Sequence, residues 1–376
     1  MTISLSADQV RLFRLRSQLL LPQPLSVARS VAQTVKELCG IQAQEESSTA
    51  PAIRARTTGL VAADVEQARI EERSIVRTWG PRGTLHLLAT EDIGWMLPFL
   101  GSVFIAGDRR RRAELGLDED TCVRAIHILR DVLASQGPLT RAEIVEQLAM
   151  HGLQLEGQAR PHLLSRAALE GIICFGPNRG AEPTYVLLND WLSHKDRGQP
   201  LPEDAAYVEL TRRYLHAYGP ATLEDQAAWS GLSLSKTRAA WRFLAEELLE
   251  VNIAGTPAWL LKTQAAWLDE PPPTTPVVRL LPRYDTYLLG YRNRDLAVPR
   301  EFAKRINAGG GIVHPTLLVD GCVVGIWKSW HQKNQLNMSI EPFGSLAPEV
   351  QVGLEAEVAD IGRFLGVDAS LQVMII

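Results

Sequence analysis

Cysteine is scarce in this sequence, and several other things are missing from it. Four of the 376 residues are cysteine, Cys39, Cys122, Cys174 and Cys322. None belongs to a Cys-x-x-Cys pair, so neither a zinc ribbon nor a disulfide framework is indicated. The eight histidines are equally dispersed and lack the His-Glu-x-x-His spacing that sets two imidazoles on one helix face. No metal and no other cofactor is expected. No run approaches the roughly 18 apolar residues of a membrane span, and residues 1–8 lack a basic stretch followed by an apolar core. A cytoplasmic protein without a membrane partner is expected. An excess of positive charge is absent as well: 39 Lys and Arg face 43 Asp and Glu, for a net charge of -4. A nonspecific nucleic-acid binder is usually basic throughout, so a DNA-facing surface here has to be a basic face on an acidic body.

What is present is ordinary for a folded chain, with 46% hydrophobic and 22% charged residues, and its length suffices for two to four domains. Its organisation is more informative. Gln136-Gly137-Pro138-Leu139-Thr140 precedes helical patterns over residues 141–149 and 160–171, then an apolar strand over 172–175. Tyr218-Gly219-Pro220-Ala221-Thr222 opens the same series, with helices over 223–229 and 235–249 and a strand ending at Ile253. An amphipathic helix precedes each copy, over 122–134 and 205–217, with apolar residues every three or four positions. Thr140 and Thr222 stand where N-caps belong. Each copy closes on a two-stranded ribbon, the returning strands covering 184–188 and 258–261. Helices followed by such a hairpin are the pattern of a winged helix-turn-helix.

A looser copy occupies the N-terminal part, with helices over 10–20, 27–39 and 62–69. Its hairpin spans 74–89, turning at Gly80-Pro81-Arg82-Gly83. Pro271-Pro272-Pro273 then precedes a strand-rich part with strands over 277–281, 315–319, 322–327, 336–340 and 371–376 and one helix over 348–365. Asp320-Gly321 supplies a tight turn. The expected fold is α+β: three tandem winged helix-turn-helix domains, residues 1–118, 119–200 and 201–273, followed by an antiparallel β-rich domain, 274–376.

Several stretches are candidates for function. Gln42-Ala43-Gln44 follows Gly40, a residue suited to closing a helix, and two neutral amides there read either as a solvated loop or as a site. Arg109, Arg110, Arg111 and Arg112 form a run that is either a solvated helix end or a set of phosphate contacts. The polar residues of the first hairpin, Arg77, Arg82 and His86, are candidates to face a DNA groove. Arg292 and Arg294 lie in the cationic stretch Tyr291-Arg292-Asn293-Arg294.

Read in order, Gly40-Ile41-Gln42-Ala43-Gln44, Arg77-Thr78-Trp79, Arg82-Gly83-Thr84-Leu85-His86, Leu281-Pro282-Arg283-Tyr284-Asp285 and Val319-Asp320-Gly321 through Gly325-Ile326-Trp327 resemble the bacterial AlkZ-like DNA glycosylases, built of tandem winged-helix domains, over nearly the whole chain. The resemblance implies that the family's catalytic motif, glutamine, any residue, then glutamine or aspartate, falls on Gln42 and Gln44. The glutamine form looks like the crosslink-resistance branch of that family. Ala43 departs from the bulkier aliphatic residue often found at the middle position.

Alkylation of guanine at N7 or adenine at N3 gives the base a positive charge, so it departs neutral and needs no strong acid. What remains is to hold a water in line with a developing oxocarbenium-like sugar, which an amide oxygen can do. The resemblance therefore implies a monofunctional glycosylase for cationic alkylated purines, including bulky adducts or interstrand crosslinks. No lysine nucleophile for a lyase step is implied, Gln42 is the main water-positioning residue, and Gln44 is its partner. The expected partner is duplex DNA carrying such lesions, bound by a monomer. Two other readings stand beside it. A winged-helix transcription regulator would bind DNA unaltered, although such proteins usually read paired half-sites as dimers. An enzyme acting on a small molecule lacks a phosphate loop, metal set or nucleophile triad in this sequence.

Overall fold

The computed structural model describes residues 3–22, 28–307, 309, 311–333 and 335–374. The chain is α+β, with sheets that are mainly antiparallel, and it packs as two compact units: Glu66–Ala206, and a second one assembled from Met1–Val65 together with Tyr207–Ile376. The four consecutive segments expected from the sequence are three winged-helix modules and a β-rich domain, whereas packing divides the chain into two units. The first segment contributes to both units. No helix of the described residues is long and apolar enough to cross a membrane.

In the unit Glu66–Ala206, helix Glu119–Gln136 starts where the Asp118 side chain accepts from the Thr121 N–H, and it buries Cys122, Ala125, Ile126, Leu129, Val132 and Leu133. That spacing of three and four is the apolar stripe of a half-buried helix. Thr140 caps helix Arg141–Met150 through a reciprocal pair with Glu143, as its sequence position predicts. Helix Ala159–Leu169 follows, and strands Ile173–Phe175 and Thr184–Leu187 form the antiparallel ribbon, with Leu139–Thr140 on the free side of the latter. The earlier hairpin pairs Ile75–Trp79 with Leu85–Ala89. Its Trp79 stacks on Phe175 at 5.6 Å between ring centroids.

The other unit repeats the series. Thr222 caps helix Leu223–Ser230 with Asp225 closing the box. The helix expected over 235–249 is shorter, Leu234–Phe243, because the pairing of Leu248–Ile253 with Thr256–Leu261 claims the residues beyond it. Strand Ile3–Leu5 adds to this ribbon in parallel, an edge that local sequence patterns do not announce. At the start of the chain the helices are Ala7–Ser17 and Val31–Glu37; Val27, where the second was expected to begin, lies outside the described residues.

The C-terminal part is a five-stranded sheet in the order Val278–Leu281, Thr316–Val319, Cys322–Gln332, Gln335–Pro342, Asp368–Val373. Helix Pro348–Leu365 covers one face, burying Val350, Leu354, Val358 and Ile361 against Leu280, Leu317, Met338 and Ile340. The sheet is not wholly antiparallel. Its last strand runs parallel to Gln335–Pro342, because the helix carries the chain back along the sheet before the strand begins, which is the connection a parallel pair requires. The expected last strand, 371–376, begins earlier, at Asp368, and residues 375–376 lie outside the described residues.

Candidate active site and nucleic-acid interface

The paired glutamines sit just after a sharp helix end. Helix Val31–Glu37 stops at Leu38; the Cys39 N–H then bonds the Lys36 carbonyl and the Gly40 N–H the Val35 carbonyl, each at 3.0 Å. This is the double bond of a Schellman ending. The left-handed residue of that ending is Cys39, at φ 55°, with Gly40 following at φ 100°. Gly40 is thus the second of two residues with positive φ and not the cap itself. A side chain at a left-handed position costs about 1–2 kcal/mol, and Cys39 stays there fully buried. The turn delivers the chain into the two-residue strand Ile41–Gln42.

From there the residues part company in exposure. Ile41 and Ala43 are buried, and Ala43 exposes no surface at all, which leaves a larger side chain no room without rearrangement. Gln42 is 8% exposed, whereas Gln44 is open to solvent at a bend. The two amides are therefore unequal.

Two arginines of the next segment tie this loop to the C-terminal sheet, its covering helix and the segment after the first strand. Arg54, in helix Thr49–Arg54, donates to Glu357 at 2.9 Å, to Asp360 at 3.2 Å and to the Leu280 carbonyl at 3.1 Å. Glu357 in turn accepts the Leu280 N–H at 2.8 Å. Arg56 makes a two-pronged pair with Asp285, 2.6 and 2.8 Å, both side chains wholly buried. Thr286 and Gln18 complete the set, each accepting from Arg56 while the Thr286 hydroxyl donates to Gln18. Asp285 ends the Leu281-Pro282-Arg283-Tyr284-Asp285 stretch, and Arg283 of the same stretch meets Glu45 at 3.4 Å. The stretch thus holds the glutamine loop at two points.

The cationic candidates separate into exposed and buried groups. Arg109, Arg110 and Arg111 are exposed on the short helix Arg109–Glu114, where Glu114 pairs with Arg110 at 3.1 Å and with Arg111 at 3.4 Å. Arg112 is buried, donating to the Ile105 carbonyl at 2.8 Å and lying 3.6 Å from Asp108. It belongs to the packing of the helix ends, not to the surface. Arg292 is exposed on a loop whose backbone is tied to Asp225 at 2.9 Å. Arg294 is half-buried and donates to the Leu288 carbonyl at 2.7 Å, a bond that orders its own loop.

In the first hairpin, Arg82 is half-buried at the turn, at φ 59°. Arg77 and His86 correct the expectation of a polar groove-facing side. Both are buried, because strand Ile75–Trp79 and most of Leu85–Ala89 are covered on both faces. The Arg77 guanidinium lies over the Phe175 ring at 4.5 Å. His86 is 3% exposed, and its Nδ1 lies 3.0 Å from the Thr84 carbonyl, the geometry of a donated bond. Burial pushes its pKa down to about 3, helped by the Arg82 charge and opposed by the Thr84 bond.

A pH dependence follows. The unfolded chain binds a proton at His86 near pH 6.5 and the folded chain only near 3, so the contribution is complete above about pH 6.5 and declines as pH falls toward 3. Urea midpoints measured between pH 7 and 5 should fall, and His86→Gln should flatten the decline. An equal slope in the variant would assign it elsewhere.

The sequence reading missed one basic surface. Helix Leu234–Phe243, second in the repeated pair, exposes Lys236, Arg238 and Arg242 and contains no acidic residue. The sign asymmetry of that helix is visible in the sequence and would have identified it. Among the described residues, no group of three or more His, Cys, Asp and Glu could hold a metal ion.

Comparison with known proteins places these features in a family. The family model described as DNA glycosylase AlkZ-like matches residues 35–364. The interstrand DNA cross-link repair glycosylase of Streptomyces sahachiroi is 29% identical over 370 residues, covering 96% of each chain. The solved structure of Streptomyces sahachiroi DNA glycosylase AlkZ superposes with a TM-score of 0.82 at 27% identity, covering 99% of this chain and 100% of that one. With its glutamine pair inside the matched region, the chain belongs to the AlkZ-like DNA glycosylase family.

Proposed function

We propose that this glycosylase hydrolyses the N-glycosidic bond of cationic N7-alkylated, and N3-alkylated, purines in duplex DNA, including bulky adducts and interstrand crosslinks. It acts as a monomer and without a lyase step. The three helix-and-hairpin modules, over residues 1–118, 119–200 and 201–273, serve in this reading as winged helices that hold the duplex. The observation that carries the proposal is the exposure of Gln44 on a loop anchored by buried ion pairs, beside a Gln42 that is nearly covered. A solvent-facing amide on a rigid mount can meet an incoming nucleotide, so the order expected from the sequence is reversed in this reading: Gln44 faces the lesion and the nearly covered Gln42 supports it.

The chemistry needs little more. The C1′–N bond breaks with its electron pair moving onto the base, which cancels the base's charge. Water oxygen bonds to C1′, and its surplus proton leaves to solvent. The amide oxygens accept hydrogen bonds from the water and present the negative end of a dipole to the sugar cation. An amide is too weak a base to assist departure of an uncharged base, so selectivity for cationic lesions follows. Duplexes containing 7-methylguanine should yield alkali-labile abasic sites, while uracil and 8-oxoguanine persist. Efficient uracil release would overturn the proposal. The regulator reading gains no support from the family match.

The exposed arginines give a second test. Each phosphate contact contributes about 0.9 to the slope of log affinity against log salt. Changing Arg109, Arg110 and Arg111 together to glutamine should reduce that slope by about one to three. Arg112→Gln should instead lower the stability of the protein, and an unchanged slope in the triple variant would return the run to solvent.

A further inference from the structure

The two points at which the Leu281–Asp285 stretch holds the glutamine loop are unequal. The Arg56–Asp285 pair is wholly buried. The pair of Arg283 with Glu45, the residue after Gln44, is a single contact of 3.4 Å between side chains that are 41% and 37% exposed. Both members of this second pair also line a cleft of about 720 Å³ in the unit that carries the loop. The acids of that lining are Glu45 and Glu341, and Glu341 is paired with Arg305. Glu45 is thus the carboxylate that stands beside the glutamines with a partner it can exchange.

We propose that Glu45 is a further catalytic residue: a phosphate of the lesion strand takes Arg283 from it, and the released carboxylate then faces the cation developing on the sugar beside Gln44. This rests on the reaction proposed above and adds a charged group to it. An exposed ion pair gains little over its separate, solvated partners, whereas guanidinium and phosphate fit one another as a two-pronged pair. The exchange moves side chains only. The chain on either side of Arg283 is fixed, by the Trp327 indole N–H on the Leu281 carbonyl at 2.9 Å and by the buried Asp285. The Glu45 carbonyl accepts the Ser48 N–H at 3.1 Å, and the Ser47 hydroxyl donates to Glu45 Oε1 at 3.2 Å, leaving Oε2 as the atom that meets Arg283. A carboxylate on a surface that receives DNA repels the phosphates that dominate affinity. It favours the transition state, because positive charge reaches the sugar only as the bond breaks. Glu45 takes no proton in this scheme, so the balance of bonds and charges given above stands, and the preference for cationic lesions with it.

Affinity is measured with duplexes carrying 7-methylguanine on a 2′-fluorinated sugar, which resists hydrolysis, and the maximal single-turnover rate with unfluorinated ones. Glu45→Gln should move the two in opposite directions. The rate falls roughly ten- to a hundred-fold, while DNA binds roughly two- to five-fold more tightly, the size of an exposed charge interaction removed. A loop merely loosened by loss of an anchor would lose both. Arg283→Gln should lower the slope of log affinity against log salt by about 0.9. In that background Glu45→Gln still lowers the rate but tightens binding less, because the two residues share one interaction. Glu45→Asp, which keeps the charge, should recover part of the rate that Glu45→Gln loses. A near-normal rate in Glu45→Gln, or weaker binding together with its slower rate, would overturn the assignment. So would an unchanged slope in Arg283→Gln, or a Glu45→Asp variant as slow as Glu45→Gln. Failure of the unaltered protein to release 7-methylguanine, with the affinity and salt effects as expected, would refute the proposed reaction and leave the exchange of Arg283 partners standing.

Discussion

Gln44→Ala lowers single-turnover release of 7-methylguanine by roughly ten- to a thousand-fold, the range for loss of one positioned polar group at a developing charge. DNA affinity should change little, because a neutral amide brings no charge to the phosphates that dominate affinity. Gln42→Ala should give a loss in the same range. The two variants should differ in a second measurement: Gln42 is nearly covered and Gln44 is exposed, so Gln42→Ala also lowers the unfolding midpoint, whereas Gln44→Ala stays within about half a kcal/mol, as an exposed substitution does. Gln44→Asp keeps an acceptor close to the same place and should retain substantial activity. Near-normal rates in both alanine variants would reduce the motif to a loop, and equal loss in Gln44→Ala and Gln44→Asp would mean that the site uses the amide's donor group.

Asp285→Asn has the largest expected effect on stability. It leaves the Arg56 guanidinium fully buried without its countercharge, a change that costs about 3–5 kcal/mol when one partner of a buried pair is removed. Chemical denaturation followed by circular dichroism reads this directly. Replacing both partners by apolar residues of similar volume should recover much of the loss, since the penalty lies in the orphaned charge more than in the absent attraction. Because Arg56 follows the helix that leads out of the glutamine loop, Asp285→Asn should also lower excision in the folded fraction. Full activity together with a loss below 1 kcal/mol would show that the pair holds nothing in place.

What the sequence discloses depends on how local the cause is. Thr140 and Thr222 are legible as caps because the bonds that make them caps reach only three residues ahead. The hairpins are legible because turn chemistry and alternation are neighbouring facts. The side on which His86 lies is not, since alternation tells which residues share a face of a strand and not what covers it. Arg112 looks like its three neighbours until the Ile105 carbonyl and Asp108 close around it. Arg56 and Asp285 stand 229 positions apart, and no local pattern pairs them. Gln42 and Gln44 were identifiable through resemblance alone. Their unequal exposure follows from a turn whose left-handed residue is a cysteine, which no sequence rule would choose over the adjacent glycine.

The unit that carries the glutamines is built from Met1–Val65 and Tyr207–Ile376, and this imposes an order on biosynthesis. When the glutamine segment leaves the ribosome, neither Asp285 nor Glu357 has been translated. At about 5–20 residues per second, roughly ten to forty seconds pass before Asp285 exists to receive Arg56. Throughout that interval Arg54 and Arg56 lack the buried partners that fix them, and the nascent chain carries the two glutamines without the ion pairs that anchor their loop. Glu66–Ala206, contiguous in sequence, is free to fold meanwhile. Competence for excision therefore arrives late in translation, and a chain terminated before the C-terminal sheet would contain both glutamines yet release no base.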